Sequence, residues 1–332
     1  MDKKCVLFAG QGSQYQGMGL NLDADDIFSC GSDILGFDLK KLCETASMEE
    51  LTANAQPAIF AVSLAHLKKV KEKPDAFLGH SLGEYAALVA SGMLSLEDGF
   101  KAIKARSYAM ANFTGGGEMY AIMGLDSKTI EETCQNIDGY VVPVNYNSPV
   151  QTVIAGETDA VAKAVEAFSG KAKRCIKLAV SSAFHSRLME KAADVFYNDI
   201  QDIEFKAPHT KFYSNVFGKE LTDFSDMKSY LKKHIVSPVL FVDELNSLKN
   251  DGYTNFIECG PSKVLTGLVS KTLNDVCTIN IEQEIKKGNP LALLPLGVFL
   301  ILFVGSGVIT GDFYKMPALV AFLIAGGVGL LF

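Results

Sequence analysis

Phe77-Leu78-Gly79-His80-Ser81-Leu82-Gly83-Glu84-Tyr85-Ala86-Ala87-Leu88-Val89-Ala90 is the stretch on which the fold turns. It opens as a short apolar strand and closes as an alanine-rich run of strong helix formers. Between them, Gly79-His80-Ser81-Leu82-Gly83 has the G-x-S-x-G form of a nucleophile elbow. The glycines leave room for a tight strand-to-helix turn that pushes the serine hydroxyl out of the sheet. The same turn sets the hydroxyl at a helix N-terminus, where unpaired N–H groups face a developing negative charge. An ordinary glycine turn ahead of a helix would give the same five residues. The strand before and the helix after are the context that the elbow reading requires. His80 adjoins the serine in sequence, but neighbours on such a turn point apart, so it is expected to pack or orient the turn and not to act as a base.

Upstream, Cys5-Val6-Leu7-Phe8-Ala9 is a continuous apolar run, the mark of a buried parallel strand. It ends in Gly10-Gln11-Gly12-Ser13-Gln14, either a plain surface turn or a loop whose backbone approaches a ligand closely. Ile27 to Thr52 reads as short helical pieces. A helix is expected from Gln56 to about Val70, stopped by Pro74. Downstream, Ser95-Leu96-Glu97-Asp98 begins a helix as a capping box. Leu96, Phe100, Ile103 and Met110 share one face of it, and Arg106 sits at the edge of that face. A guanidinium there cannot shed its charge and needs an anion. Either an internal carboxylate or a ligand would serve.

Thr114-Gly115-Gly116-Gly117 is a flexible joint, and beyond it the pattern changes. Strands are expected at 119–125, 140–147, 150–155 and 175–180, with helices at 127–136 and 158–168. The order β-α-β-β-α-β is that of a ferredoxin-like unit inserted into a larger α/β domain. Ser181-Ser182-Ala183-Phe184-His185-Ser186 follows, which places His185 on a strand-to-helix connection at the lip between the two. Further strands are expected at 211–216 and 254–258, and a last helix after Gly260-Pro261.

The chain has 332 residues and a formal charge of -7, with a pI of about 5.4. That length buries a sizeable core. No basic block is long enough to form a nucleic-acid groove. Seven cysteines without C-x-x-C pairs indicate neither a zinc site nor a disulfide framework. Cys5 and Cys175 read as buried thiols of a reducing compartment. Met1-Asp2-Lys3-Lys4 passes directly into a strand too short for a secretory signal, so a cytoplasmic location is expected.

Taken together, these residues resemble the malonyl-CoA:acyl carrier protein transacylase family, which includes the acyltransferase domains of fatty-acid and polyketide synthases. The resemblance spans roughly residues 1–282. It rests on Gly10-Gln11-Gly12-Ser13-Gln14, Gln56-Pro57-Ala58, the elbow with Glu84, Arg106, Asn147-Ser148-Pro149, Ala183-Phe184-His185-Ser186, and Glu258-Cys259-Gly260-Pro261 with Lys263-Val264-Leu265-Thr266-Gly267. It implies an α/β-hydrolase-like core (1–116 and 182–285) with a ferredoxin-like subdomain (117–181). It also implies a ping-pong reaction without a cofactor, with malonyl-CoA and acyl carrier protein as partners. Ser81 would attack the thioester and His185 take its proton. The N–H groups of Leu82 and Gln11 would hold the oxyanion, and Arg106 the malonyl carboxylate. Phe184 would disfavour an α-methyl group. Two positions depart from the family. His234 stands where a glutamine is usual, at a residue whose backbone carbonyl is thought to orient the histidine. Ser262 replaces a usual glycine, and no effect is expected from it.

After Lys286-Lys287-Gly288 the composition changes. Residues 289–310 carry no charge and are long enough to span a bilayer, Asp312 and Lys315 interrupt, and 316–332 is again uncharged. This tail raises the mean hydropathy to +0.17. It resembles the opening of a sodium/proton antiporter cut off early. A joined or frame-shifted reading of two genes is the preferred expectation, and the alternative is a membrane tether with Lys286 and Lys287 on the cytoplasmic side. Competing functions are a serine esterase, which has no need of a buried cation; a transport protein, argued from the tail alone; and a non-catalytic acyl-carrier docking module.

Overall fold

The computed structural model describes residues 2–180, 182–286, 298–299 and 301–302. The strands and helices that follow belong to a compact unit that ends at Glu282. The apolar run at the N-terminus becomes strand β1 (Lys3–Phe8), buried from Cys5 onward. Short helices α1 (Asp25–Leu35), α2 (Leu39–Thr45) and α3 (Met48–Ala53) follow. Ser47 closes a capping box with Glu50 at the start of α3. Helix α4 (Ala55–Leu67) is buried at every position through His66, as expected of a helix that is apolar all round. It starts one residue before Gln56 and stops short of the expected Val70.

The elbow forms as its sequence requires. Strand β2 (Ala76–Gly79) runs into helix α5 (Gly83–Ala90) through a turn that bears Ser81. A Cβ on Gly79 would lie 2.0 Å from the Gly83 carbonyl carbon, and one on Gly83 would lie 2.1 Å from the Phe8 carbonyl oxygen. Both glycines are therefore steric necessities. Helix α6 (Leu96–Asn112) is capped by the Ser95 hydroxyl, which accepts from the Asp98 N–H at 3.0 Å.

The joint leads into β3 (Glu118–Met123), α7 (Ser127–Gln135), β4 (Val141–Ser148), β5 (Gln151–Gly156), α8 (Thr158–Phe168) and β6 (Arg174–Lys177). These strands form an antiparallel sheet in the order β4-β5-β3-β6. One expectation needs correcting here. β6 ends at Lys177, and Leu178 and Val180 lie beyond it. Their alternation with the 43% exposed Ile176 suggested a longer strand. The Leu178 N–H still donates to the Met119 carbonyl at 2.9 Å, but the pairing stops there, and the two side chains pack with Met119, Val153 and Phe184 on the face opposite the two helices.

The chain returns to the larger sheet through α9 (Glu190–Asp199), β7 (Lys211–Ser214), β8 (Lys219–Glu220), α10 (Met227–Val236), α11 (Phe241–Asn250), β9 (Tyr253–Cys259), α12 (Val264–Thr272) and β10 (Cys277–Asn280). The strand order is β10-β9-β1-β2-β7-β8. It is parallel from β10 to β7, with β8 antiparallel at the edge. Cys5, Leu7, Leu78 and Phe256 pack on Leu245, Leu248, Leu265 and Val269 of α11 and α12. The apolar stretches expected at 289–310 and 316–332 lie outside the described residues, apart from 298–299 and 301–302. Among the described residues no helix is long and apolar enough to cross a membrane.

Candidate active site

Ser81 sits on the elbow with φ 52°, in the left-handed region that a non-glycine residue enters only when its surroundings hold it there. Its N–H donates to the Asn215 side-chain oxygen at 2.7 Å, while the Asn215 amide nitrogen donates to the Gly79 carbonyl at 2.6 Å. One buried side chain at the end of β7 thus grips the elbow on both sides. Asn215 is itself fixed by two buried carboxylates. Its backbone N–H donates to Glu84 Oε1 at 2.6 Å and its Nδ2 to Glu244 Oε2 at 2.9 Å. Burial pushes the Glu84 carboxyl up to about 8 and Glu244 well above the usual carboxylate range.

The structure brings His185 to Ser81, with Oγ and Nε2 2.7 Å apart. His185 also has a left-handed backbone, φ 61°. Behind it, Nδ1 faces two carbonyl oxygens, Ser237 at 3.0 Å and His234 at 3.2 Å. Both are acceptors only, so Nδ1 carries the proton and Nε2 is left free to accept from the serine. The Ser237 carbonyl is held in place from the smaller sheet. The Val239 N–H donates to the Val144 carbonyl at 2.8 Å and the Tyr146 N–H to the Val239 carbonyl at 2.9 Å, both on β4. Burial first, and then the Arg106 charge and His80, push the His185 imidazole down to about 3, so it is neutral at physiological pH.

Arg106 is 1% exposed. One of its terminal nitrogens donates to the Gln56 side-chain oxygen at 2.6 Å, and the other lies 3.4 Å from Ser81 Oγ. Its guanidinium carbon stands 5.4 Å from the centre of the Tyr85 ring, and among the described residues no acceptor lies within hydrogen-bond geometry of its Nε. Among the described residues no carboxylate lies within ion-pair distance of it. The internal carboxylate that the sequence left open as its anion is therefore not there.

These side chains open on a cleft of about 330 Å³ between the two sheets. Gly10 to Ser13 line one side of it, and Leu178, Val180 and Phe184 the other. A Cβ on Gly10 would lie 2.6 Å from the His80 carbonyl oxygen, so the Gly10 loop presses directly on the elbow. Leu82 is buried at the foot of α5. Among the described residues neither the Leu82 nor the Gln11 N–H donates to a protein acceptor. His80 turns away from the serine and bonds through Nε2 to the Asn147 side-chain oxygen at 2.7 Å.

His234 lies one layer back. Its Nε2 is 3.2 Å from Glu84 Oε2, and its ring packs edge-on to His185 at 5.6 Å. Burial depresses this imidazole well below its usual range and raises Glu84, so the contact is a hydrogen bond between neutral groups near neutral pH, not an ion pair. Two contributors had no reading in the sequence, Asn215 and the Ser237 carbonyl. A polar residue closing an apolar strand was the one signal for Asn215. A backbone carbonyl leaves none.

A neutral imidazole on a serine hydroxyl, beside a buried guanidinium, is an arrangement able to form an acyl ester next to a bound anion. Residues 6–295 match the acyl transferase domain family. The chain is 39% identical over 299 residues to the malonyl CoA-acyl carrier protein transacylase of Bacillus subtilis, a match that covers 85% of this chain and 94% of that one. It superposes with a TM-score of 0.80 on the acyl carrier protein S-malonyltransferase of Vibrio cholerae, at 35% identity, covering 84% of this chain and 96% of that one. It superposes equally well, at 0.80 and 33% identity, on a malonyl-transacylase in complex with its type II PKS acyl-carrier protein, covering 86% of this chain and 100% of that one. The chain belongs to the malonyl CoA-acyl carrier protein transacylase family. These matches do not support the antiporter likeness of 289–332, and the family match itself reaches residue 295.

Proposed function

We propose that the protein transfers malonyl groups from malonyl-CoA to the phosphopantetheine thiol of acyl carrier protein, by way of a malonyl ester on Ser81. The observation that carries this reading is the buried Arg106, unpaired with any carboxylate among the described residues and 3.4 Å from the serine hydroxyl. A guanidinium held in that state is a receptor for a substrate carboxylate.

The geometry supports each step of this reading. His185 Nε2 accepts the Ser81 proton as Oγ attacks the thioester carbonyl. The negative charge on the carbonyl oxygen is met by the Leu82 and Gln11 N–H groups, with α5 adding its N-terminal dipole. His185 returns the proton to the departing thiol. Coenzyme A leaves, and the carrier thiol enters the same cleft and reverses the sequence. Phe184, packed with Leu178 and Val180 on the far wall, leaves little room for a branch at the malonyl α-carbon. In this reading the larger sheet is an α/β-hydrolase-like core and residues 117–181 a ferredoxin-like subdomain that walls the cleft. The carbonyls of Ser237 and His234 do the orienting, so a change of side chain at 234 leaves the reaction intact.

The test is intact-protein mass spectrometry after incubation with malonyl-CoA. A malonyl adduct that maps to Ser81 and disappears on addition of holo acyl carrier protein is expected. An adduct released only to water would leave an esterase instead.

A further inference from the structure

Ser262 occupies the turn between β9 and α12 with φ 67°, in the left-handed region. That conformation costs a residue with a Cβ about 1 kcal/mol or more, and glycine nothing. The sequence therefore keeps a side chain where none fits comfortably, and that side chain is bonded. The Ser262 hydroxyl donates to the Ser13 carbonyl at 2.8 Å. Its backbone is tied separately, the N–H to Glu282 Oε2 at 2.6 Å and the carbonyl to Asn280 Nδ2 at 2.7 Å. Glu282 also accepts from the Tyr15 hydroxyl.

Ser13 is the buried end of the loop whose exposed tip is Gln11 and Gly12. Its own hydroxyl donates to the Gly10 carbonyl at 2.8 Å, and the Gly12 N–H donates to the Gln14 side chain at 2.8 Å. The loop is thus closed on itself, and among the described residues its Ser13 carbonyl is tied to a distant part of the chain by Ser262, 249 residues away in sequence. We infer that Ser262 is a positioning residue that fixes the Gly10–Gln14 loop over the cleft and so aims the Gln11 N–H at the reacting carbonyl oxygen. The inference rests on the transferase reading of the site. It differs from the expectation that serine at this position is without effect, and the variants below decide between the two.

Ser262→Gly is the discriminating variant. It removes the hydroxyl, leaves both backbone bonds in place and relieves the left-handed strain. The expected result is a fall in kcat of about three- to tenfold, the range spanned by one net hydrogen bond. KM for malonyl-CoA should stay within about twofold and the melting temperature should not drop. Turnover equal to wild type would overturn the inference. So would a parallel loss of kcat and melting temperature, which would mark the hydroxyl as a structural brace. Ser262→Ala, which keeps the strain and loses the hydroxyl, should match the glycine variant in kcat. Burst-phase malonylation of wild-type Ser81, measured alongside, separates the two hypotheses. A missing burst defeats the transferase reading, whereas a normal burst with equal turnover in the variants defeats only the role of Ser262.

Discussion

At the scale of single residues the cleft is governed by charges and protons that have nowhere else to go. Arg106 was legible in the sequence because a guanidinium on the edge of an apolar helix face must find an anion. The structure shows Gln56 and Tyr85 around it instead of a carboxylate. Replacing it by alanine is expected to lower kcat/KM for malonyl-CoA about 100-fold, the value of a buried charge-assisted pair. Transfer from acetyl-CoA, whose acyl group carries no charge, should not fall. Steady-state kinetics with the two thioesters checks this, and an equal loss for both would remove Arg106 from substrate recognition. His185 was legible as a lone histidine at a junction near a serine. Of the two carbonyls behind it, that of His234 was expected only from the family resemblance, and that of Ser237 was not legible, since Ser237 contributes only backbone.

At the scale of elements, the strand-turn-helix at 76–90 could be read because its glycines are imposed by contact. A methyl group on Gly83 would strike the Phe8 carbonyl. Gly83→Ala is therefore expected to destabilise the fold by about 3 kcal/mol. The shift of the urea midpoint would measure it, and a shift below about 1 kcal/mol would mean that the turn relaxes freely. The buried parallel strand β1 was visible as an unbroken apolar run, and β9 was placed at 254–258 although Thr254, Asn255 and Glu258 interrupt its apolar residues. β10 was not, because Cys277-Thr278-Ile279-Asn280 is an edge strand with most of its side chains in solvent. β6 was overdrawn for the reverse reason. Leu178 and Val180 are apolar because they face the cleft, and a pattern of burial does not say whether strand or loop supplies it. Asn215 escaped notice because its importance is topological. The end of β7 comes under the elbow only once the sheet order is known.

At the scale of the molecule, the floor of the site carries an unusual load of titratable groups with opposed pH dependences. His185 is held at about 3 against its ordinary 6.5. The unfolded chain takes up the proton first, so stability is lost as pH falls through that interval. His80 and His234 are depressed and add to the same trend. Glu84 stands at about 8 against 4.5. Here the folded chain holds the proton more tightly, so stability is lost as pH rises from 4.5 to 8. Glu244 and Glu258 are raised and act alike. Glu84→Gln should remove part of the alkaline loss. The melting temperature of the variant relative to wild type is expected to rise between pH 5 and pH 9, and a constant difference would mean that Glu84 is ionised throughout. The two carbonyls behind His185 carry a chemical consequence as well. Oriented dipoles fix the ring but supply no full countercharge to an imidazolium, so in the proposed reaction His185 is a mild base. A sulfur leaving group, whose conjugate acid has a pKa of about 8.5, departs with little help from an acid. An amine does not, and asks for the stronger support that an aspartate gives. The cleft is thereby tuned to exchange acyl groups between thiols while leaving peptide bonds alone.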